Sequence, residues 1–371
     1  MSWPERIELY EKIEERRKHP LIVYVTSKRE GCAASMSSDA FPHIIEQLDS
    51  LPAKTDALDF LIVSHGGDPM VAWRLLSLIR QRVKDVAVMV PQSAYSAATL
   101  VAFGANEIIM HPNGHLGPVD MQITTVGDSG QRKSFSTEDI TAFLDFVRDN
   151  LKITDQEHIR MLFEVTCKEV GSLGIGFTAR SSKLAVDLGE RLLALHMKDD
   201  DNRSKLRSIV ENMSRKFQSH SYPVNRTEAL ELGLPVNKER DEELERLMWD
   251  VWIDLELDLK ETIPFHPLFE LLNSAEASKL LAPVPLINLP MAASASAHFQ
   301  TTIADVNTNA SVKVDAVDFE HINAIVESRR LAAMHVTRGK ILSTRNPDLM
   351  IHYNMVHTSR AWGRLDKPVS K

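Results

Sequence analysis

Short apolar runs and amphipathic stretches alternate through the first third of the chain. Residues 21–27, 58–64, 86–90 and 107–110 are nearly unbroken apolar runs rich in β-branched side chains, which predicts strands covered on both faces. Between them, residues 5–18, 39–51, 69–82 and 96–104 carry apolar positions at helical spacing. Strand and helix in strict alternation predict an α/β fold with a parallel sheet and crossover helices.

From residue 136 the period becomes wholly helical, over 137–150, 154–170, 181–195 and 202–217, which predicts a packing layer or lid on the sheet. Asn225 or Thr227 then caps a short helix, Gly233 stops it, and a terminal strand reaches Val236, where the core is expected to close. The pattern changes after Lys238. Residues 241–259 predict an acidic helix with Leu244, Met248, Trp252 and Leu255 on one side, 264–290 is punctuated by proline, and 298–306 with 311–317 predicts a hairpin about Asn307-Thr-Asn309. The basic tail beginning at Thr358 carries no readable motif. The expected organisation is therefore a domain over 1–238 and an extension over 239–371.

Composition narrows the function classes. With 371 residues, 43% hydrophobic and 25% charged, and a net charge of -8, the chain is that of a soluble globular protein without the basic excess that general nucleic-acid binding needs. The two cysteines, Cys32 and Cys167, lie far apart and suggest neither a disulfide framework nor a zinc site. The start of the chain is charged and lacks the apolar core of a secretory signal, so a cytoplasmic location is expected. One uncharged stretch between Asp85 and Glu107 is long enough to span a bilayer, but Pro91, Gln92, Ser93, Tyr95, Ser96 and Thr99 interrupt it, and it reads as strand, turn and buried helix with no membrane span.

Two of the strands end in chemistry. Leu58-Asp-Phe-Leu-Ile-Val-Ser-His runs into Gly66-Gly67, and the strand after it exits through Pro91-Gln-Ser-Ala-Tyr to Ser96 at the start of an alanine-rich helix. A serine nucleophile needs a base, freedom from steric cover and donors aimed at the oxyanion it creates. At a helix start Ser96 has unsatisfied backbone N–H groups beside it. A glycine pair lets an amide turn outward where a side chain would block a substrate. The amides of Gly67 and Ala97 are the expected oxyanion donors, and both segments lie at the carboxyl ends of consecutive strands, where open α/β sheets place their sites.

These residues, with Gly104-Ala-Asn-Glu-Ile-Ile-Met, Leu116-Gly-Pro-Val-Asp-Met-Gln and Glu228-Ala-Leu-Glu-Leu-Gly-Leu, resemble the ClpP/crotonase superfamily, and within it the serine dehydrogenase proteinase (SDH-type) family, related to signal peptide peptidase A. The resemblance runs from about Leu21 to Val236. It implies a spiral of ββα units, a homo-oligomeric assembly, and a serine peptidase that needs no cofactor or metal and acts on a peptide or protein substrate. Carried over by position, Ser96 falls on the nucleophile and Gly67 and Ala97 on the oxyanion donors. The family's histidine falls near Asp120 and its acid near His220-Ser221, an exchanged pair, so one expected triad is Ser96, His220 and Asp120. A lysine base is the alternative, with Lys133 in the polar segment 127–133, while His115 reads as a turn histidine and His65 as a rim residue or substrate contact. Two other functions stay open, an acyl-CoA enzyme of crotonase type and an oligomeric scaffold without catalysis. No GxGxxG follows a strand, so a dehydrogenase gains no support, and no GxxxxGK[ST] occurs, so any energy-driven unfolding would need a partner chain.

Overall fold

The alternation of the first third is realised in order. Helix α1 (Trp3–Arg17), strand β1 (Leu21–Thr26), α2 (Phe41–Asp49), β2 (Ala57–Val63), α3 (Pro69–Arg82), β3 (Asp85–Val90), the short β4 (Ser93–Ala94), α4 (Ala97–Phe103), β5 (Glu107–Met110) and the short β6 (His115–Leu116) follow one another. This is a computed structural model, and it describes residues 3–119, 122–126, 132–197, 203–215, 217, 219, 221–283 and 311–365. Strands β1, β2, β3 and β5 lie side by side and parallel, Val23 opposite Leu61, Phe60 opposite Val88, and Val88 opposite Ile108.

Each face of this sheet is covered by different helices, and that is why the strands are apolar throughout. Ile22, Tyr24, Phe60, Ile62 and Val88 point to one face and pack with α2, α3 and α4. Leu21, Val23, Val25, Leu61 and Met89 point to the other and pack against α1 and α10 (Glu242–Leu259). The single charge inside β2, Asp59, is fully buried and accepts hydrogen bonds from Arg17 at 2.9 and 3.2 Å. The candidate membrane stretch resolves into β3, β4 and α4, and among the described residues no helix is long and apolar enough to cross a membrane.

A second layer of short pairings follows the strands. Ser64 bridges Ala94 in parallel, β4 pairs with β6, and Leu116 pairs with Val224 antiparallel. Strands β3 and β5 thus run into the short strands β4 and β6, and β2 and β3 then lead into helices α3 and α4.

The middle of the chain holds a hairpin of β7 (Gln122–Val126) and β8 (Arg132–Ser136), then α5 (Thr137–Asp145) closing in a π turn over Phe146–Asn150, α6 (Gln156–Val170), α7 (Ser172–Leu193), α8 (Arg203–Arg215) and α9 (Arg226–Glu231). Two expectations change here. The polar segment 127–133 leads into a strand, so the backbone of Lys133 stands in β8. Helix α7 starts at Ser172, nine residues before the period predicts, because Gly174 and Gly176 interrupt the apolar pattern without breaking the backbone. Asn225 is the α9 cap, completed by Glu228 in a reciprocal capping box, and Gly233 takes φ +89° after the helix.

The sheet does not close at Val236. After α10 come the short α11 (Pro267–Leu272) and α12 (Ala277–Leu280), then β9 (Val312–Lys313), β10 (Val317–Glu327), β11 (Ala332–Arg345) and β12 (Ile351–Leu365). Strand β10 pairs antiparallel with β1, Val23 opposite Glu327, and extends the sheet to β12-β11-β10-β1-β2-β3-β5. Residues 358–365 of the basic tail are part of β12. Val312–Lys313 pairs with β11, while the expected partner strand 298–306 and its turn lie outside the described residues. The junction is pinned from below by Arg6 of α1, fully buried, which donates to both oxygens of Glu327 at 2.7 and 3.2 Å and to Asp254 at 2.6 Å.

Candidate active site

The carboxyl ends of β1, β2 and β3 meet at one place. Beyond β2, the Met36 N–H donates to the Gly66 carbonyl at 2.7 Å and the Asp68 N–H to the Met36 carbonyl at 3.3 Å. In such a parallel bridge the residue between, Gly67, turns its own N–H and C=O to the opposite side. Gly66 has φ +91°, a conformation that favours glycine. A Cβ there would lie 2.6 Å from the Tyr95 carbonyl oxygen, 2.8 Å from the Ala97 nitrogen and 2.8 Å from the Ser96 Cβ. The glycine pair and the serine turn, about thirty residues apart in sequence, are therefore in contact, and only a bare backbone fits between them.

Ser96 precedes α4 with φ 53° and ψ -116°, a strained conformation for a residue with a side chain. The surroundings hold it there. The Tyr95 N–H donates to Ser64 at 2.9 Å, the Ala98 N–H to Tyr95 at 2.9 Å, and the Thr99 hydroxyl lies 2.7 Å from the Ala94 carbonyl and 2.8 Å from that of Gly117. Ser96 is half-buried and makes no capping bond. Among the described residues, neither the Gly67 nor the Ala97 amide donates to a protein acceptor, and no side chain meets the Ser96 hydroxyl. Asp120 and His220 lie outside the described residues, as does the side chain of Lys133.

A cavity of about 300 Å³ opens beside this turn, lined by His65, Gln92, Tyr95, His115 and Ser221. The Tyr95 ring stands 5.2 Å from His65 and 5.4 Å from His115, and it packs so closely on Gly117 that a Cβ there would sit 1.7 Å from the ring. Burial pushes the His115 ring below its ordinary pKa and the Tyr95 phenol above its own. His115, which the sequence reads as a turn histidine, and His65, read as a rim residue or substrate contact, both line this cavity.

Lys28 and Gln92 were not singled out from sequence. Lys28 follows β1, donates to the Gln92 side-chain oxygen at 2.5 Å and lies 4.8 Å from the Trp252 ring centre, with its pKa lowered by burial. Its backbone N–H donates to both oxygens of Glu261 at 2.9 and 3.0 Å. The available signal was position, since Lys28 follows β1 and Gln92 follows β3, the parallel strands on either side of β2, which Gly66 follows. Among the described residues no cluster of His, Cys, Asp or Glu side chains is arranged to hold a metal ion.

Comparison with known proteins agrees with the resemblance stated above. Residues 38–144, which contain the glycine pair, the serine turn and α4, match the family of ClpP-like SDH-type serine proteinases. Two uncharacterized proteins of Methanocaldococcus jannaschii, MJ0137 and MJ1495, are each 26% identical to the chain, the first over 195 residues (53% of this chain, 58% of the relative) and the second over 180 residues (48% and 52%). The chain thus spans somewhat over half the length of these relatives. Among solved structures, a serine-to-alanine mutant of the 1510-N membrane-bound stomatin-specific protease aligns over 61% of this chain and 84% of that one, at 16% identity and a TM-score of 0.35.

Proposed function

We propose that this chain is a serine peptidase in which Ser96 forms an acyl-enzyme and the amides of Gly67 and Ala97 hold the oxyanion. The observation that carries the reading is the strained Ser96 turn in contact with the Gly66-Gly67 backbone, with two neighbouring amides that meet no protein acceptor among the described residues. Strain at a residue whose side chain caps nothing has a use when that side chain must face a substrate. The outward N–H and C=O of Gly67 also support strand addition, in which an extended peptide pairs with this edge and its scissile carbonyl is laid between the two amides.

For the base we propose His220, oriented by Asp120. Leu116 and Val224 exchange both backbone hydrogen bonds at 2.9 Å, and Asp120 and His220 each lie four residues along from that bridge on the two segments it joins. Ser221, beside His220 in sequence, lines the cavity with His65 and Tyr95. Lys133 is the competing base. Exposed apolar side chains on the helices after β8 (Phe143, Phe146, Met161, Phe163, Leu173 and Phe177) support a further part of the reading, that the chain assembles with copies of itself.

A fluorophosphonate probe tests the nucleophile and the base together. The wild type is expected to be labelled at Ser96 and to hydrolyse peptides, and Ser96→Ala to lose both. His220→Ala is expected to lower kcat by about a thousandfold or more, in the range seen when one member of a triad is removed. Lys133→Ala is expected to retain activity. Absence of labelling in a folded wild type would overturn the acyl-enzyme reading, and the reverse order of the two variants would hand the base to Lys133.

A further inference from the structure

Two polar side chains of the cavity beside Ser96, Gln92 and His115, have fixed roles. The Gln92 side-chain atom 2.5 Å from the Lys28 ammonium also accepts from the Ser93 hydroxyl. An ammonium only donates, so this atom is the carbonyl oxygen, and the amide NH2 of Gln92 is turned away from Lys28. Among the described residues no acceptor meets that NH2. His115 Nδ1 lies 3.1 Å from the Asn113 carbonyl oxygen, which only accepts, so Nδ1 carries the ring proton. Burial holds the ring neutral near pH 7, and Nε2 is left as a lone-pair acceptor. The two residues are neighbours, the His115 N–H donating to the Gln92 carbonyl at 2.9 Å.

Both side chains line the same cavity, and a donor with an acceptor on one wall can complement a carboxamide. We propose that this cavity is the subsite for a glutamine or asparagine side chain of the substrate, whose C=O accepts from Gln92 Nε2 and whose NH2 donates to His115 Nε2. The assignment rests on the peptidase reading above. A glutamate would bring an oxygen against the His115 lone pair, a methionine would leave both polar groups unpaired, and a lysine would face the Lys28 ammonium. Lys28 is a positioning residue here. It acts through the Gln92 amide and is itself held by Trp252 and Glu261, so the chain beyond Lys238 reaches the subsite by this route.

Blocked alanine pentapeptides carrying Gln, Glu or Met at each position in turn are titrated calorimetrically onto full-length Ser96→Ala, and offered in parallel to the wild type. At one position Gln is expected to bind about tenfold more tightly than Glu or Met, the size of one net hydrogen bond. Lys28→Met is expected to bring the Gln-to-Met ratio to within about twofold. If that variant does not fold by circular dichroism, Gln92→Met is expected to do the same. Equal binding of the three peptides at every position, absence of binding, or a preference for Glu or Met overturns the proposal, as does an unchanged ratio in the folded variant. Gln-selective binding to Ser96→Ala without cleavage by the wild type would leave the subsite standing and sink the peptidase reading instead.

Discussion

The central sheet has two halves built on different terms. Strands β1, β2, β3 and β5 are short, parallel and buried on both faces, whereas β10, β11 and β12 are 11, 14 and 15 residues long, antiparallel, and progressively exposed until β12 is almost wholly in water. Parallel strands all leave the sheet at one end, so the turns after β1, β2 and β3 converge, and the strained and side-chain-free positions are found there. Antiparallel strands send their turns to alternate ends, and among the described residues of β10–β12 and their turns Leu349, at φ 70°, is the one strained side-chain position. Under the proposed function the parallel half supplies the chemistry, and the antiparallel half is tied to it through Glu327 and the helices beneath.

The largest expected effect strikes that tie. Arg6→Ala leaves Glu327 and Asp254 buried without their cation and is expected to cost about 3–5 kcal/mol in urea unfolding. Arg338→Ala, which removes an exposed ion pair to Glu320 between β10 and β11, is expected to cost no more than about 1 kcal/mol. Equal costs would mean that the buried network does not hold the two halves together.

Glycines sharpen the contrast next. Gly66→Ala pushes a methyl into the Tyr95 carbonyl and the Ala97 amide, and kcat/KM is expected to fall about a hundredfold as the oxyanion donors shift. Gly363→Ala in β12 meets nothing within 4 Å and is expected to leave kcat/KM unchanged. A smaller effect is expected from relief of strain. Ser96→Gly should raise unfolding stability by about 1 kcal/mol relative to Ser96→Ala, because glycine accepts φ 53° and alanine does not.

The mildest test is pH. His321 in β10 packs against Phe265 and Phe319, and burial, aided by Arg29, His357, Arg360 and His335, lowers its pKa to about 4. The unfolded chain takes up this proton at about 6.5 and the folded chain does not, so stability is expected to fall as the pH drops from 6.5 towards 4. His321→Gln is expected to flatten that slope in urea midpoints measured across the range. An unchanged slope would remove His321 as its source.

Legibility followed the same division. Residues 69–82 and 107–110 were predicted and found to the residue, because a strand buried on both faces and an amphipathic helix each leave a strong period. Strand β12 left none. Its His352, Asn354, Ser359 and Arg360 face water on an edge, where pairing with β11 decides the conformation and side-chain pattern does not. In the site, a glycine pair after one strand and a serine at a helix start were readable as types, and so were their positions at strand ends.

The sequence by itself determined the alternation of strand and helix and which residues have the chemistry to attack a carbonyl or to leave a backbone bare. Tertiary structure alone decided that Gly66 lies against Ser96, that Lys28 orients Gln92 beside His115, and that β10 returns from the far end of the chain to pair with β1. The reason is physical. Period and propensity are local along the chain, whereas contact between distant segments depends on packing and register, which no single segment encodes.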